Sequence, residues 1–373
     1  MFTGDMHLSF AGCGFIGLYH VGSASCIKTF APFLLQNKIA GASAGAMAAA
    51  ALIGEVSMAD MAREVLKVVI SASEKIFGPF NPVFSLNNML KEGLERVLPE
   101  DIHIRANNRL HISLTRAADR KNLIVSEFAS REELISVILA SSFIPLLSGW
   151  IPPRHNGEFV VDGGYTDNAP RFDGNTITIS PFSGEHDICP RDDSEIGALL
   201  NLSLSTGPTT SVALSMENMQ RFRMAMIPPK PEDLLAVCRQ GFDDTFEYLR
   251  SRNIIQCESC REEKLKLNLE KMQDWKRKPD ASCLECDAMF RDARLLNLPL
   301  DICEVFQEAL DDMRMRNSGF VAAMSTIAIS PYTLSKHVAI KSANIMQIIV
   351  PWESYFKAVL GLAPDFAACP FAS

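Results

Sequence analysis

Charge is the first thing this sequence has little of. Lys, Arg, Asp and Glu together make 21% of its 373 residues, below the usual quarter. The basic side is in deficit, with 36 Lys and Arg against 44 Asp and Glu, a formal charge of −8. Nucleic-acid binding rests on Lys and Arg neutralising phosphates, so this balance excludes it. Ten cysteines in 373 residues are too sparse for a small disulfide scaffold. No run of about 20 unbroken apolar residues occurs, so no transmembrane span is expected. Met6 to Ile27 does lack Lys, Arg, Asp and Glu. However, Asp5 stands where a secretory leader carries basic residues, and Gly12, Gly14, Gly17 and Gly22 argue against a helix there. The chain is read as cytoplasmic, in a reducing setting with mostly free thiols. Internal repeats and low-complexity tracts are also missing.

What is present is apolar. Hydrophobic residues make 47% of the chain and the mean hydropathy is +0.08. The length allows one large domain, or one plus a smaller one. Such a composition leaves apolar surface for lipid or a partner, or fills a large core.

Short β-like runs alternate with helical stretches through the first 180 residues. Leu8–Ala11, Lys38–Ala42, Leu110–Leu114, Asn122–Val125, Phe159–Val161 and Thr176–Ile179 read as strands. Met58–Ile76 has helical spacing, and so has Leu234–Leu249, with Leu235, Cys238, Phe242, Phe246 and Leu249 on one side. Pro228, Pro229 and Pro231 mark a break before the latter. The alternation predicts an α/β fold with a mainly parallel sheet covered by helices.

Gly41-Ala42-Ser43-Ala44-Gly45 fits G-x-S-x-G, lying between a strand-like run and the alanine-rich stretch Ala44–Leu52. A nucleophile elbow needs small neighbours because the serine sits on a sharp, strained strand-to-helix turn. The helix then points its N-terminal dipole at the charge that develops on the substrate. The competing reading is a small-residue turn before a packed helix. Gly12-Cys13-Gly14-Phe15-Ile16-Gly17 fits G-x-G-x-x-G after a strand. A dinucleotide fingerprint would need an acid about 20 residues on, where Pro32, Phe33, Leu34 and Leu35 stand instead. The better reading is an oxyanion loop whose N–H groups approach without a Cβ in the way. Asp162-Gly163-Gly164 follows an apolar run, so the acid stands at a strand end and the glycines permit a turn. His155 precedes Asp162, His186 sits in the acidic loop from Gly184 to Glu195, and His337 lies in the apolar tail. None stands where a triad histidine is wanted, so Ser43 and Asp162 are read as a dyad.

Glycine loop, serine elbow, Asp-Gly-Gly, in that order on an α/β pattern, resembles the patatin-like phospholipase family over roughly residues 8 to 182. The strings SFAGCGFIGLYHVG, GASAGA, SLTR, SSFIPLLSGWIPP, VDGGYTDNAP and ITISPFSGEHDICP are similar to its adipose triglyceride lipase and brummer lipase branch, as is PYTL at Pro331–Leu334. The resemblance implies a three-layer α/β/α sandwich with a mainly parallel central sheet and a helical C-terminal extension. It matches Ser43 to the nucleophile, Asp162 to its dyad partner, and Gly12, Gly14 and Gly17 to the oxyanion loop. It implies a neutral-lipid ester substrate, action at the lipid droplet surface or as a peripheral membrane protein, an α/β-hydrolase-fold coactivator protein, and no cofactor. Plant patatins carry a basic residue in the glycine loop where this chain has Cys13, Phe15 and Ile16. That departure points away from phospholipid headgroups.

The chain is expected to divide into a catalytic core over 6–182, its acidic loop and helices over 183–253, a charged helical segment over 254–297, and an apolar region over 298–373. Cys257-x-x-Cys260 and Cys283-x-x-Cys286 stand 22 residues apart in the third. They could close a tetrahedral zinc site, although the gap exceeds the usual spacing, or be four free thiols on helix ends. No metal is assigned; metal analysis of a Cys257→Ser/Cys283→Ser variant separates the two. The apolar region, with Trp352, Tyr355, Lys336 and Lys341, is expected to dock on lipid, the alternative being a helix packed on the domain.

Overall fold

A computed structural model of the chain describes residues 6–74, 85–145, 147–172, 175–192, 203–205, 211–252, 254–255, 283 and 298–324, with backbone alone for 203–205 and 316–324. The chain forms two compact units, 1–309 and 310–373. In the second, the described residues are the end of the last helix. The sheet lies in the first.

The first two strands, β1 (His7–Phe10) and β2 (Ile39–Gly41), are apolar or small and almost wholly buried. Burial on both faces is what a parallel strand inside an α/β layer requires. β3 (Leu110–Arg116), β4 (Asn122–Val125), β5 (Arg154–His155), β6 (Glu158–Asp162) and β7 (Thr176–Ile179) complete the sheet. Its order is β5-β6-β3-β2-β1-β7, with β4 also paired to β3. The pairs β1–β2, β1–β7 and β2–β3 are parallel, whereas β4 and β6 run antiparallel to β3, and β5 to β6. With helices flanking this mixed, mostly parallel sheet, the fold is the α/β sandwich that the resemblance implies. A separate antiparallel pair joins β8 (Ser203–Ser205) to β9 (Ser211–Ala213).

The helices follow their apolar spacing. The first three are α1 (Leu18–Phe30), α2 (Ala44–Ile53) and α3 (Met58–Ser73), followed by α4 (Leu86–Val97), α5 (Ile102–Ala106) and α6 (Arg131–Ser141). Ser85 and Ser130 cap the N-termini of α4 and α6 through their side chains, satisfying free N–H groups there. Then come α7 (Met216–Met226) and α8 (Pro231–Ser251), with Pro231 in the first turn where its missing N–H costs nothing. The last is α9 (Leu300–Met324).

Two expectations are corrected. The glycines of Met6–Ile27 do not prevent a helix: α1 runs straight through Gly22. A Cβ at Gly22 would lie 1.9 Å from the Cys238 carbonyl oxygen of α8, and one at Gly241 would lie 2.1 Å from that of Tyr19. The cost of glycine in a helix is offset by close packing of α1 on α8. Tyr19 Oη donates to Asp244 at 2.7 Å across the same contact, and Phe30 meets the rings of Phe242 and Phe246. Second, the apolar C-terminal region begins inside the core. Leu298, Ile302, Val305 and Phe306 are buried with the main apolar cluster, so this first stretch is packed on the domain. Residues 325–373, with the rest of that region, lie outside the described residues. So do Cys257, Cys260 and Cys286; Cys283 is half-buried.

Candidate active site

The site is assembled from strand ends. β2 ends at Gly41, and Ala42 continues its line by donating to the Phe10 carbonyl at 3.3 Å. The chain then turns into α2 at Ser43, whose φ of 53° and ψ of −125° leave the regions open to ordinary residues. Such strain persists only where the surroundings enforce it. Here a Cβ at Gly45 would lie 2.0 Å from the Phe10 carbonyl oxygen, so only glycine lets the helix start this close to β1. The Ser43 N–H donates to Ser141 Oγ at 2.8 Å, and Ser141 Oγ donates to the Ser113 carbonyl at 2.7 Å. A fully buried hydroxyl on α6 thus ties the strained turn to β3.

Asp162 closes β6 opposite Leu114 of β3. Thr115 Oγ1 donates to its backbone carbonyl at 2.8 Å, and its own Oδ1 accepts from the Gly164 N–H at 2.7 Å. The side chain is buried. Burial pushes its pKa up to about 7, opposed in part by the hydrogen bonds from Gly164 and from the Ser43 hydroxyl. A carboxyl poised near neutrality beside a strained serine is suited to take and return a proton.

The glycine loop leaves β1 and forms a short 3₁₀ turn, Gly14–Ile16, before α1. A methyl on Gly12 would lie 3.1 Å from Ser43 Cβ, so the loop lies against the elbow. Gly12 N–H is already engaged by Asn168 Oδ1 at 2.9 Å, and Ile16 N–H by the Cys13 carbonyl at 3.3 Å. Among the described residues, the N–H groups of Cys13, Gly14 and Phe15 have no acceptor. The six-residue loop therefore narrows to three available donors. Gly14 has φ +54°, and a Cβ there would meet the Ala225 carbonyl oxygen at 2.2 Å. No other residue fits both constraints. The Cys13 thiol is buried, and that burial, with the nearby Asp162, raises its pKa far above the thiolate range. It is not a nucleophile at neutral pH.

Ser43, Gly14, Phe15, Gly17 and Ala44 line one cavity with residues of α1 to α4, enclosing about 1060 Å³ of empty space, part of it open to solvent. Its walls are apolar except for Ser43, Ser142, His20 and Glu64. Glu64 is paired with Lys67 at 2.8 Å and with Arg96. Gly41, Ala42, Ala44 and Gly45 flank Ser43 along the chain, and Gly163 and Gly164 follow Asp162; a Cβ at Gly163 would lie only 2.1 Å from the Ser113 carbonyl oxygen. His155 is on the outer hairpin beside Asn156. His186 is buried, with its pKa lowered to about 4 by burial. His337 lies outside the described residues.

Three contributors escaped sequence reading. Asn168 and Ser141 act through hydrogen bonds to residues distant along the chain. Both stand within strings already picked out, VDGGYTDNAP and SSFIPLLSGWIPP, but nothing in their spacing announces a partner. His20 lines the cavity and is fully buried, its Nε2 2.7 Å from the Ala11 carbonyl oxygen. Burial lowers its pKa to about 4, so it is neutral.

An α/β sheet that holds a strained serine facing an apolar cavity, a buried carboxyl hydrogen-bonded to it and a loop with free backbone donors against it has the parts of a lipid acyl hydrolase. Residues 8–173 match the model of the family described as patatin-like phospholipase. The chain is 43% identical to mouse patatin-like phospholipase domain-containing protein 2 over 67% of its own length and 51% of that protein. It is 39% identical to mouse 1-acylglycerol-3-phosphate O-acyltransferase Pnpla3, over 66% of its length and 59% of that protein. It is 37% identical to human patatin-like phospholipase domain-containing protein 4, over 66% of its length and 98% of that protein. The chain belongs to the patatin-like phospholipase family. It spans about half the length of the first of these relatives.

Proposed function

We propose that the chain cleaves acyl esters of neutral lipid, triacylglycerol foremost, through an acyl-enzyme on Ser43 at the surface of lipid droplets. The observation that carries this is that Ser43, hydrogen-bonded to the buried Asp162, lines the apolar cavity together with Gly14 and Phe15 of the loop, whose N–H groups and that of Cys13 have no acceptor among the described residues. The ionised Asp162 takes the Ser43 proton as Oγ attacks the ester carbonyl carbon. Negative charge moves to the carbonyl oxygen, where the loop donors and the α2 N-terminus receive it. Asp162 returns the proton to the departing alcohol oxygen as the ester C–O bond breaks. Water then attacks the acyl-enzyme, giving its proton to Asp162; the fatty acid leaves and Ser43 regains its hydrogen. A coactivator of the α/β-hydrolase fold raises turnover at the droplet on this reading, which draws it from the resemblance.

A second outcome uses the same residues. An alcohol in place of water gives acyl transfer, and one relative is named as an acyltransferase. Purified chain with radiolabelled triacylglycerol, phosphatidylcholine and retinyl ester, with and without coactivator, separates the readings. Fatty acid released chiefly from triacylglycerol supports the proposal. Acyl transfer to added lysophosphatidate at a rate exceeding hydrolysis overturns it.

A further inference from the structure

The helix α7 carries its largest exposed apolar side chains outward. Its buried face holds Asn218 and Ala225. Asn218 is spent on hydrogen bonds to Ser183 and to the Ala213 carbonyl. Its outward face carries Met216, Met219 and Phe222, which are 73%, 63% and 59% exposed. Their spacing of three puts them along one stripe of the helix. Arg223 is exposed on the same side, one turn after Met219, whereas Arg221 is held by Asp192 at 2.8 Å. Met224 and Ala225 already pack this helix on the core, so the stripe of large apolar groups on its outside is not needed for that packing and is left to be covered by something else.

The position of the helix identifies the cover. The Ala225 carbonyl sits against Gly14 of the oxyanion loop, and Ala225 lines the cavity. Two other exposed apolar groups lie on segments of the site, the first of which reaches the same cavity. Trp150 follows Ile144 and Leu147, which line it, and Tyr165 follows Gly164 of the acid turn. Esters with long acyl chains enter from an apolar phase, and a cavity with apolar walls must open onto that phase. A helix that lines the cavity through Ala225, with flexible Met and Phe side chains outward and an arginine beside them, fits the boundary between acyl chains and headgroups.

We propose that the Met216–Met219–Phe222 face of α7 seats the protein on a lipid surface, with the cavity mouth turned to the lipid. This rests on the lipid-ester reading above, but it concerns docking rather than chemistry. On this proposal the protein docks through the catalytic unit itself.

The test uses the full chain and flotation with a trioleoylglycerol emulsion coated with phosphatidylcholine. Ser43→Ala and the same chain with Met216→Ser/Met219→Ser/Phe222→Ser are compared, so that turnover does not consume the surface. The triple substitution is expected to cut the bound fraction about tenfold or more. With Ser43 intact, the triple variant is expected to hydrolyse a soluble butyrate ester within about twofold of the parent, since exposed side chains carry little stability. Undiminished flotation overturns the proposal. So does loss of soluble-ester hydrolysis with a lowered Tm, which means that the chain's own residues cover the face. A parent dimer that becomes a monomer in the triple variant overturns it too, because a second copy is then the cover. If soluble-ester hydrolysis by the parent does not depend on Ser43 while flotation falls as expected, the chemistry fails and the docking face stands.

Discussion

The side-chain amide of Asn168 pairs with the backbone of Gly12 at both ends, accepting from its N–H at 2.9 Å and donating to its carbonyl at 3.2 Å. One residue just after the acid turn therefore fixes the loop that lies against Ser43. A Cβ at Gly12 or at Gly164 would each crowd Asn168 Oδ1, at 2.7 and 2.8 Å. The three motifs of the sequence meet around this one amide.

Asn168→Ala should leave a buried Gly12 N–H unpaired and let the loop drift. Its kcat on a soluble ester is expected to fall by about 10²-fold, as when oxyanion donors are misplaced, with KM little changed. Destabilisation of about 1–3 kcal/mol is expected from the orphaned groups. Steady-state kinetics beside thermal unfolding check both. An unchanged kcat would show that the loop needs no such clamp.

Asp162 gives a pH dependence whose sign is fixed. Its folded pKa of about 7 lies above the ordinary value of 3.8 because burial disfavours the charged form. The base must be ionised to work, so kcat/KM should rise with pH through about 7. Stability runs the other way. The raised pKa gives a contribution that is complete below about 3.8 and lost as pH rises through about 7. Above that, the buried carboxylate costs on the order of 4 kcal/mol. Asp162→Asn should abolish hydrolysis and yet melt at a higher temperature than the parent at pH 8, with the gap closing toward pH 4. A flat activity profile, or an Asn variant that is less stable at pH 8, contradicts this account of the carboxyl.

The histidines should be dispensable for the chemistry. His155→Ala and His186→Ala are each expected to keep most of the activity, since His155 faces outward beside Asn156 and the His186 ring carries no charge at neutral pH. Rates on a soluble ester with circular dichroism as a folding control decide it. A loss as deep as that of Asp162→Asn in a folded protein would restore a triad.

Much of this could be read from the chain because the chemistry lies in local patterns. Each of the six strand-like runs is a strand, with ends shifted by a residue or two. The Ser43 turn and the Asp162 turn show themselves through small residues next to apolar runs. What stayed hidden is long-range. Gly22 looks like a helix breaker until Cys238 of α8, more than 200 residues on, is seen to press against it. Ser141 and Asn168 are ordinary polar residues whose value lies in partners 98 and 156 positions away. The apolar stripe of α7 carries no mark of its own in the sequence, and only its exposure reveals an outward face.

The central claim is that Ser43 becomes acylated. A fluorophosphonate probe followed by peptide mass mapping tests it most directly. The account expects one adduct on the peptide that holds Ser43, and its complete loss in Ser43→Ala, with hydrolysis falling by several orders of magnitude. Equal labelling of parent and Ser43→Ala, or an adduct mapped to another serine, contradicts it.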